Sequence, residues 1–465
     1  MFLRRLCLFF LLSLYILACK KESFTDSKDA ILRPTADTLH FDTVFTTTGS
    51  TTQFFKLMNE NKQGIRVNTV RLAGGSASPF KINVDGTPGP QINGLEIAGK
   101  DSAYVFVTVS INPTAANLPF IVRDSIEISY NGNTTYVQLD AYGQNARFLR
   151  NRTINVNETW DNTLPYVILG GLNVENGATL TITKGTKVHM HADAPFIVNG
   201  SLKVEGEKWD STKVIFTSDR LDEPYRDFPG SYPGIIFSES SRNNLVQHAI
   251  IKNGYQGIVA VGPSPNASPK VTLQETIIDN IYDAGILASN SSIDARNVLI
   301  SNCGKNIMLI RGGQYNFTHC TAATFSSNYI QHKDPVLQVY NYLNANTPTE
   351  PLSAVFRNCI FWGEGSGLVK NEVVVDKRGN TAFNVLFDHV LWRVETVPQN
   401  ITENSILNNQ APQFDSINTS RRFYDFRLKP NSPALNKGTN TSVNIDLDGN
   451  PRPVGLPDLG AYERQ

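Results

Sequence analysis

The sequence has little cysteine and no excess of charge of either sign. Its 465 residues include 5 cysteines, and 42 lysine and arginine residues balance 42 aspartate and glutamate residues. Because no basic cluster follows the N-terminal segment, the composition does not predict nucleic-acid binding. Only Cys303, Cys320 and Cys359 follow residue 19, and no CxxC pair occurs. Neither a disulfide framework nor a zinc site is therefore expected.

Helical periodicity and long apolar runs are also lacking. The chain contains 33 glycines and 24 prolines, and turn dipeptides such as Asn-Gly, Gly-Gly and Pro-Gly interrupt it often. These breaks favour short strands, so we predict an all-β chain with very little helix. The apolar run of residues 6–17 is too short to span a bilayer comfortably, since a spanning helix needs about 20 residues.

The first residues predict a secretory signal that ends in a lipid anchor. Two arginines precede the apolar run, and residues 16–19 (Ile-Leu-Ala-Cys) resemble a bacterial lipobox, in which the cysteine is acylated. We predict a lipoprotein signal peptide over 1–18 and Cys19 as the anchor, with a cleaved signal and an incidental cysteine as the alternative. The polar residues 19–36 predict a flexible tether. The expected location is the outer membrane, on its periplasmic face or at the cell surface.

Residues 37–145 have the pattern of a small β-sandwich. About seven runs of alternating apolar and polar residues, such as 103–109 and 125–130, are separated by Gly, Pro and Asn turns. We predict an immunoglobulin-like β-sandwich, although the disulfide and the core tryptophan of antibody domains are missing. Such a unit would act as a spacer or a docking module.

Short apolar runs return through residues 167–327, and three of them end at a turn asparagine: Asn253, Asn280 and Asn302. Each run is too short to bury a face alone, so the repeat indicates stacked coils that share one core. Asparagine tolerates a left-handed backbone and can bond to its counterpart in the next coil. We therefore predict a parallel β-helix over 150–408, with these asparagines as a structural ladder.

Several sequence segments resemble those of the right-handed β-helix lipoproteins of Bacteroidetes, which have a pectin-lyase-like fold. They are residues 185–191, 198–206, 215–220 and 233–237 in the coils, with 41–45 and 141–144 in the N-terminal module. Residues 431–463 resemble the terminal segment of secreted β-helix proteins of the choice-of-anchor type, and we predict a C-terminal cap over 409–465. The resemblance implies the fold and the location, but no common reaction.

The predicted outward positions of three regular strands, Val259, Leu287 and Met308, are apolar. A glycoside hydrolase needs paired carboxylates, and a lyase needs a Lys or Arg base beside a carboxylate-bound calcium. We therefore predict a non-catalytic envelope lipoprotein that displays its β-helix to bind carbohydrate or a surface protein. The alternative is a polysaccharide lyase or glycoside hydrolase that acts on a cell-surface or dietary polysaccharide.

One loop combines charged and aromatic residues, as sugar-binding surfaces do. The candidate ligand-binding residues are Asp219, Arg220, Asp222, Tyr225, Arg226, Asp227 and Tyr232. The alternative interpretation is a structural loop held by its own salt bridges.

Two sets of residues have spacing compatible with a metal. They are Asp446, Asp448 and Asp458 near the C-terminus, and His189, His191 and Asp193 in an early coil. The first set begins like an EF-hand but lacks its glycine and its closing glutamate, so it predicts at most a weak calcium site, with a tight turn as the alternative. The second set alternates as on one face of a strand, but solvent-facing positions of a coil would do the same. No other cofactor is expected.

Overall fold

The computed structural model describes residues 23–46, 48–114, 119–344, 346–365 and 367–465. Within these ranges the chain forms β-strands and two short 3-10 turns, Gly75–Ala77 and Tyr225–Asp227, and it contains no α-helix. No apolar helix of membrane-spanning length occurs in the described part. Cys19 and the predicted signal peptide lie outside the described residues. The chain divides into two compact units, with the boundary between Asn145 and Ala146.

The first unit contains ten strands in two five-stranded sheets, ordered β1-β3-β8-β5-β6 and β2-β10-β9-β4-β7. The strands are β1 Leu32–Pro34, β2 Thr38–Phe45, β3 Gln53–Asn59, β4 Ile65–Leu72, β5 Phe80–Val84, β6 Thr87–Pro88, β7 Gln91–Ile97, β8 Ser102–Val109, β9 Phe120–Tyr130 and β10 Asn133–Gln144. Alternate residues of both sheets bury into one core. The unit is thus a β-sandwich, and its immunoglobulin-like class stays a prediction.

The predicted tether over 19–36 is partly wrong. Strand β1 pairs antiparallel with β3, and Leu32 of β1 is only 3% exposed. A three-residue strand is too short to give an alternating pattern, so its pairing could not be read from the sequence.

The second unit contains one continuous sheet of 23 strands and a two-stranded hairpin. The strands are β11 Arg147–Ile154, β12 Glu158–Trp160, β13 Tyr166–Val174, β14 Thr179–Thr183, β15 Lys187–Met190, β16 Phe196–Val198, β17 Ser201–Glu205, β18 Val214–Ser218, β19 Ile235–Phe237, β20 Asn244–Gln247, β21 Ala249–Lys252, β22 Ile258–Val261, β23 Val271–Gln274, β24 Ile277–Asp279, β25 Ala284–Arg296, β26 Leu299–Ser301, β27 Lys305–Thr318, β28 Thr321–Phe325, β29 Leu337–Tyr340, β30 Leu352–Glu364, β31 Val373–Asp376, β32 Phe383–Trp392, β33 Thr402–Asn408, β34 Phe414–Asn418 and β35 Phe423–Leu428.

Strands of the large sheet pair in parallel with strands in the neighbouring coils, as β21 does with β24, and β24 with β26. This is a parallel β-helix, and the predicted all-β fold class is confirmed. Its coils have three faces. The first contains β20, β23 and the later parts of β25 and β27, the second β21, β24, β26 and β28, and the third β22, β29 and β31. Inward side chains of all three faces form one core.

The asparagine ladder stands at the corner between the second and third faces. Asn253, Asn280 and Asn302 have φ of 69°, 55° and 50°, in the left-handed region. Asn280 Nδ2 donates to Asn253 Oδ1 at 2.9 Å, as predicted. Asn302 departs from the pattern, because its Nδ2 donates to Asp279 Oδ1 at 3.2 Å.

A second left-handed row stands at the corner between the first and second faces. Its members are His248, Glu275, Asn297, His319, Asn358 and His389, with φ between 44° and 56°. Because only some of them are asparagines, residue type did not reveal this row. The corners fix the direction of each strand and so place the side chains of successive coils in columns.

The C-terminal segment lies against the side of the coils. Phe414 and Phe426 of its hairpin pack in one cluster with Leu299, Ile360 and Leu391, which point outward from the second face. These contacts reach several coils and include Leu407 of β33, the last strand of the sheet, and the cap over 409–465 stays a prediction. An outward apolar column has to be covered, and this segment covers it.

Candidate functional site

Three of the candidate ligand-binding residues, Arg220, Asp222 and Tyr225, contact one another within their loop. Arg220 donates to both carboxylate oxygens of Asp222, at 2.8 and 2.9 Å, and its guanidinium lies 4.1 Å from the centre of the Tyr225 ring. The hydrogen bond to Asp222 raises the pKa of Arg220. These contacts support the alternative interpretation of a structural loop for this part of the set.

Two further members of the set, Asp219 and Tyr232, are not available to a ligand: one is paired inside the protein and the other is buried. Asp219 Oδ2 bonds to Nδ1 of His191 at 2.7 Å, and burial raises the pKa of Asp219. Tyr232 was predicted at a ligand surface, but it is only 1% exposed and belongs to the core of the coils. Burial raises the pKa of its hydroxyl. The sequence could not reveal this because Tyr232 lies in the loop before β19, where no alternating pattern indicates the direction of a side chain.

The C-terminal carboxylates do not converge on one point. Asp446 Oδ1 accepts from the backbone N–H groups of Asp448 and Asn450, at 3.0 and 2.8 Å, as in a tight turn. Asp448 pairs with Arg427 at 2.7 Å, and Asp458 accepts backbone N–H groups elsewhere in the segment. No group of three or more His, Cys, Asp or Glu residues in the described part of the chain is placed to hold a metal. The turn interpretation accounts for these residues.

His189, His191 and Asp193 also have separate partners. His189 is buried, its Nδ1 lies 2.9 Å from the carbonyl oxygen of Ser218, and burial lowers its pKa to about 4. Asp193 accepts the backbone N–H of Gly170 at 2.9 Å. Strand β15 ends at Met190, so the expected one-sided strand does not extend to His191 and Asp193.

The remaining two loop residues, Arg226 and Asp227, line a cavity of about 290 Å³ that we call the arginine cavity. Its other lining residues are Asp279, Asn280 and Asn302 from the coils, Ser327 from a loop, and Arg421, Arg422 and Tyr424 from the β34–β35 hairpin. Asn280 Nδ2 donates to the carbonyl oxygen of Asp227 at 2.9 Å, which ties the loop to the asparagine ladder. Arg422 bonds to Asp227 Oδ2 at 3.1 Å and ties the hairpin to the loop.

A larger groove of about 870 Å³ runs along the first face, and we call it the polar groove. Ser292, Gln314, Ser353 and Asn384 line it and occupy the same position in four successive coils. Neighbouring strands in a sheet lie about 4.8 Å apart, so this column presents polar groups at a regular spacing. Asp294 and Asn316 form a second, shorter column, joined by a 2.6 Å hydrogen bond from Asn316 Nδ2.

The side chains that line the polar groove are nearly uncharged. Asp294 is the one carboxylate among its lining residues, all of which belong to the described part of the chain, and none of them is basic. The side chains of Gln314, Ser353 and Asn384 are exposed and make no hydrogen bond to any described residue. They can therefore bond to a ligand without giving up a bond inside the protein.

Buried groups hold the floor and one wall of the groove in place. Tyr315 donates to the carbonyl oxygen of Gly312 at 2.8 Å and accepts the backbone N–H of Ser291 at 3.2 Å. Lys270 is fully buried, and its Nζ donates to three backbone carbonyl oxygens at 2.7 to 2.9 Å. Burial lowers the pKa of Lys270 to about 8. A preorganised backbone of this kind reduces the entropy lost on binding.

Comparison with known proteins identifies no family. No family model matches the sequence, and no curated protein matches it. The structure is similar to a family 123 glycoside hydrolase from Clostridium perfringens, at 13% identity over 26% of each chain and a TM-score of 0.20. It is also similar to a GH87 α-1,3-glucanase from Streptomyces thermodiastaticus, at 10% identity over 77% of this chain and 88% of that one, with a TM-score of 0.25.

A third likeness is to a PapD-like domain of human CEP192, at 12% identity over 27% of this chain and 91% of that one, with a TM-score of 0.17. The chain spans about a quarter of the length of the family 123 hydrolase that it matches. At these TM-scores the three likenesses carry no argument about activity, so the function rests on the residues themselves.

Proposed function

We propose that the protein is a non-catalytic lipoprotein of the cell envelope that binds a polysaccharide along the polar groove. The observation that carries the proposal is the column of Ser292, Gln314, Ser353 and Asn384 across four coils. Hydroxyl and amide groups both donate and accept hydrogen bonds, as the hydroxyl groups of a sugar require. A chain of sugars is the ligand that matches a repeating row of such groups.

The same groove favours binding over cleavage. Glycoside hydrolysis ordinarily uses two carboxylates on either side of the scissile bond, and Asp294 is the one carboxylate among the lining residues. A lyase site of the kind considered above needs a lysine or arginine base beside a carboxylate-bound calcium, and no lysine or arginine is among them. We therefore expect the groove to bind a polysaccharide without cleaving it.

Replacing Gln314 or Asn384 with alanine is expected to weaken polysaccharide binding by a factor of about 2 to 10 each. The estimate follows from a net value of about 0.5–1.5 kcal/mol for one hydrogen bond. Affinity electrophoresis of the full-length protein against a panel of neutral and acidic polysaccharides measures the effect. Gln247→Ala is the matched control, since Gln247 lies on the first face but outside the groove.

Two outcomes of this experiment would overturn the proposal. In one, both groove variants bind every retained polysaccharide as tightly as the wild type. In the other, new reducing ends or unsaturated products accumulate, which would favour the alternative of a glycoside hydrolase or a lyase.

The envelope location rests on the N-terminal sequence. We propose that acylation of Cys19 holds the protein to the outer membrane, on its periplasmic face or at the cell surface. Labelling of expressing cells with a palmitate analogue is expected to mark the wild type and to miss Cys19→Ala. The matched control is Cys7→Ala, because Cys7 lies inside the apolar run and precedes the lipobox-like residues. Equal labelling of the wild type and Cys19→Ala would contradict the anchor.

A further inference from the structure

The arginine cavity lies apart from the polar groove, and no residue lines both. We propose that it is a second ligand site, which binds a single acidic sugar residue through the carboxylate and the hydroxyl groups of that sugar. Neither the groove nor its polysaccharide is needed for this inference. It rests on donors and acceptors in the cavity that have no partner in the described part of the protein.

The first such donor is the guanidinium of Arg421. The other two arginines of the cavity are paired, Arg422 with Asp227 at 3.1 Å and Arg226 with Glu223 at 2.5 Å. Arg421 is exposed, and among the described residues its side chain makes no ion pair or hydrogen bond. A guanidinium presents two parallel N–H groups that match the two oxygens of a carboxylate.

The second donor is the hydroxyl of Tyr424. Its oxygen is buried and has no hydrogen-bond partner among the described residues. The ring stacks on Phe426 with a centroid distance of 6.2 Å, which fixes the direction of the hydroxyl. A buried donor without a partner is unfavourable in the free protein, so a ligand oxygen that accepts from it removes that cost.

The cavity also contains acceptors that fit sugar hydroxyl groups. Asp279 Oδ1 accepts from Ser301 Oγ at 2.6 Å and from Asn302 Nδ2 at 3.2 Å, and no side chain of the described residues donates to its other oxygen. Asn280 uses its Nδ2 for Asp227 and Asn253, and its Oδ1 accepts no hydrogen bond from a described residue. Sulfate has no donor for these oxygens, whereas a sugar acid supplies both a carboxylate and hydroxyl donors.

The size of the cavity limits the ligand to about one sugar unit. Its volume of about 290 Å³ is at the lower end of the range for small-molecule sites, roughly 300–1,000 Å³. The walls come from five separate segments, and the Arg422–Asp227 and Asn280–Asp227 bonds tie three of them together. The hairpin that carries Arg421 and Tyr424 is therefore held against the loop before a ligand enters.

Calorimetric titration of the full-length protein with glucuronate, glucose and sodium sulfate tests the proposal. Glucuronate is expected to bind. Glucose lacks the carboxylate and sulfate lacks the hydroxyl groups, so each is expected to bind at least about tenfold more weakly. Arg421→Ala is expected to weaken glucuronate binding about tenfold or more. Arg150→Ala, an exposed arginine of β11, is the matched control and keeps the wild-type affinity.

Tyr424→Phe separates a ligand role from a structural one. Removal of an unpartnered hydroxyl is expected to leave the thermal unfolding temperature unchanged or slightly higher, while glucuronate binding weakens about threefold or more. Equal binding of glucose, equal binding of sulfate, or glucuronate affinity that neither variant changes would overturn the inference. None of these outcomes bears on the polar groove, because its test uses other residues.

Discussion

Glu463→Ala is expected to lower the free energy of unfolding of the second unit by about 3–5 kcal/mol. Glu463 Oε2 accepts from Arg452 Nε at 2.9 Å, and both side chains are 0% exposed. The same carboxylate accepts the backbone N–H groups of Val454 and Asp458, at 2.8 and 3.0 Å. Its removal leaves the buried Arg452 guanidinium without its hydrogen-bonded carboxylate and two N–H groups without partners.

Denaturant unfolding followed by circular dichroism measures this loss. The exposed pair Lys184–Glu207, at 2.8 Å, gives the matched control, because Glu207→Ala is expected to change stability by less than about 1 kcal/mol. The double variant Arg452→Met/Glu463→Leu is expected to lose less than Glu463→Ala alone, since it leaves no unpaired charge. A loss under about 1 kcal/mol for Glu463→Ala would show that the pair does not stabilise the C-terminal segment.

Phe356→Ala is the second change with a large expected effect, a loss of about 3–5 kcal/mol. Phe356 is 0% exposed and stands in a row of rings inside the coils. Its centroid lies 5.4 Å from that of Phe317 in the preceding coil and 4.9 Å from that of Phe387 in the next. The cavity left by the ring would also remove these two stacking contacts.

The same unfolding experiment measures the effect of Phe356→Ala. Phe423→Ala is its control, because Phe423 is 57% exposed and its loss is expected to change stability by no more than about 0.5 kcal/mol. Similar losses in the free energy of unfolding for the two variants would mean that the row of aromatic rings does not stabilise the coils.

The C-terminal segment connects stability with the proposed second site. It covers the outward apolar column of the second face, and it supplies Arg421, Arg422 and Tyr424 to the arginine cavity. A variant that loosens the segment, such as Glu463→Ala, is therefore expected to affect the cavity, whereas the polar groove is lined by residues of the coils and their loops.

Local signals in the sequence determined the coil architecture. Short alternating runs and turn asparagines such as Asn253 and Asn280 depend on side-chain size and on tolerance of a left-handed backbone, and both are properties of single residues. The absence of helical periodicity is local in the same sense, whereas the outward apolar column of the second face was not among the predicted positions. The β-helix and the absence of α-helix in the described residues could therefore be predicted, and the strand bounds from Arg147 to Asn408 lie close to the predicted 150–408.

Tertiary structure alone decided the sites. Asp227 and Arg422 meet across 195 residues of chain, and the column of Ser292, Gln314, Ser353 and Asn384 depends on loops of unequal length between coils. Tyr232 lies inside rather than at a ligand surface because the path of the loop before β19, which residue type does not encode, turns its side chain into the core. A sequence repeat predicts that coils stack, but which side chains meet follows from how each loop returns the chain to the next coil.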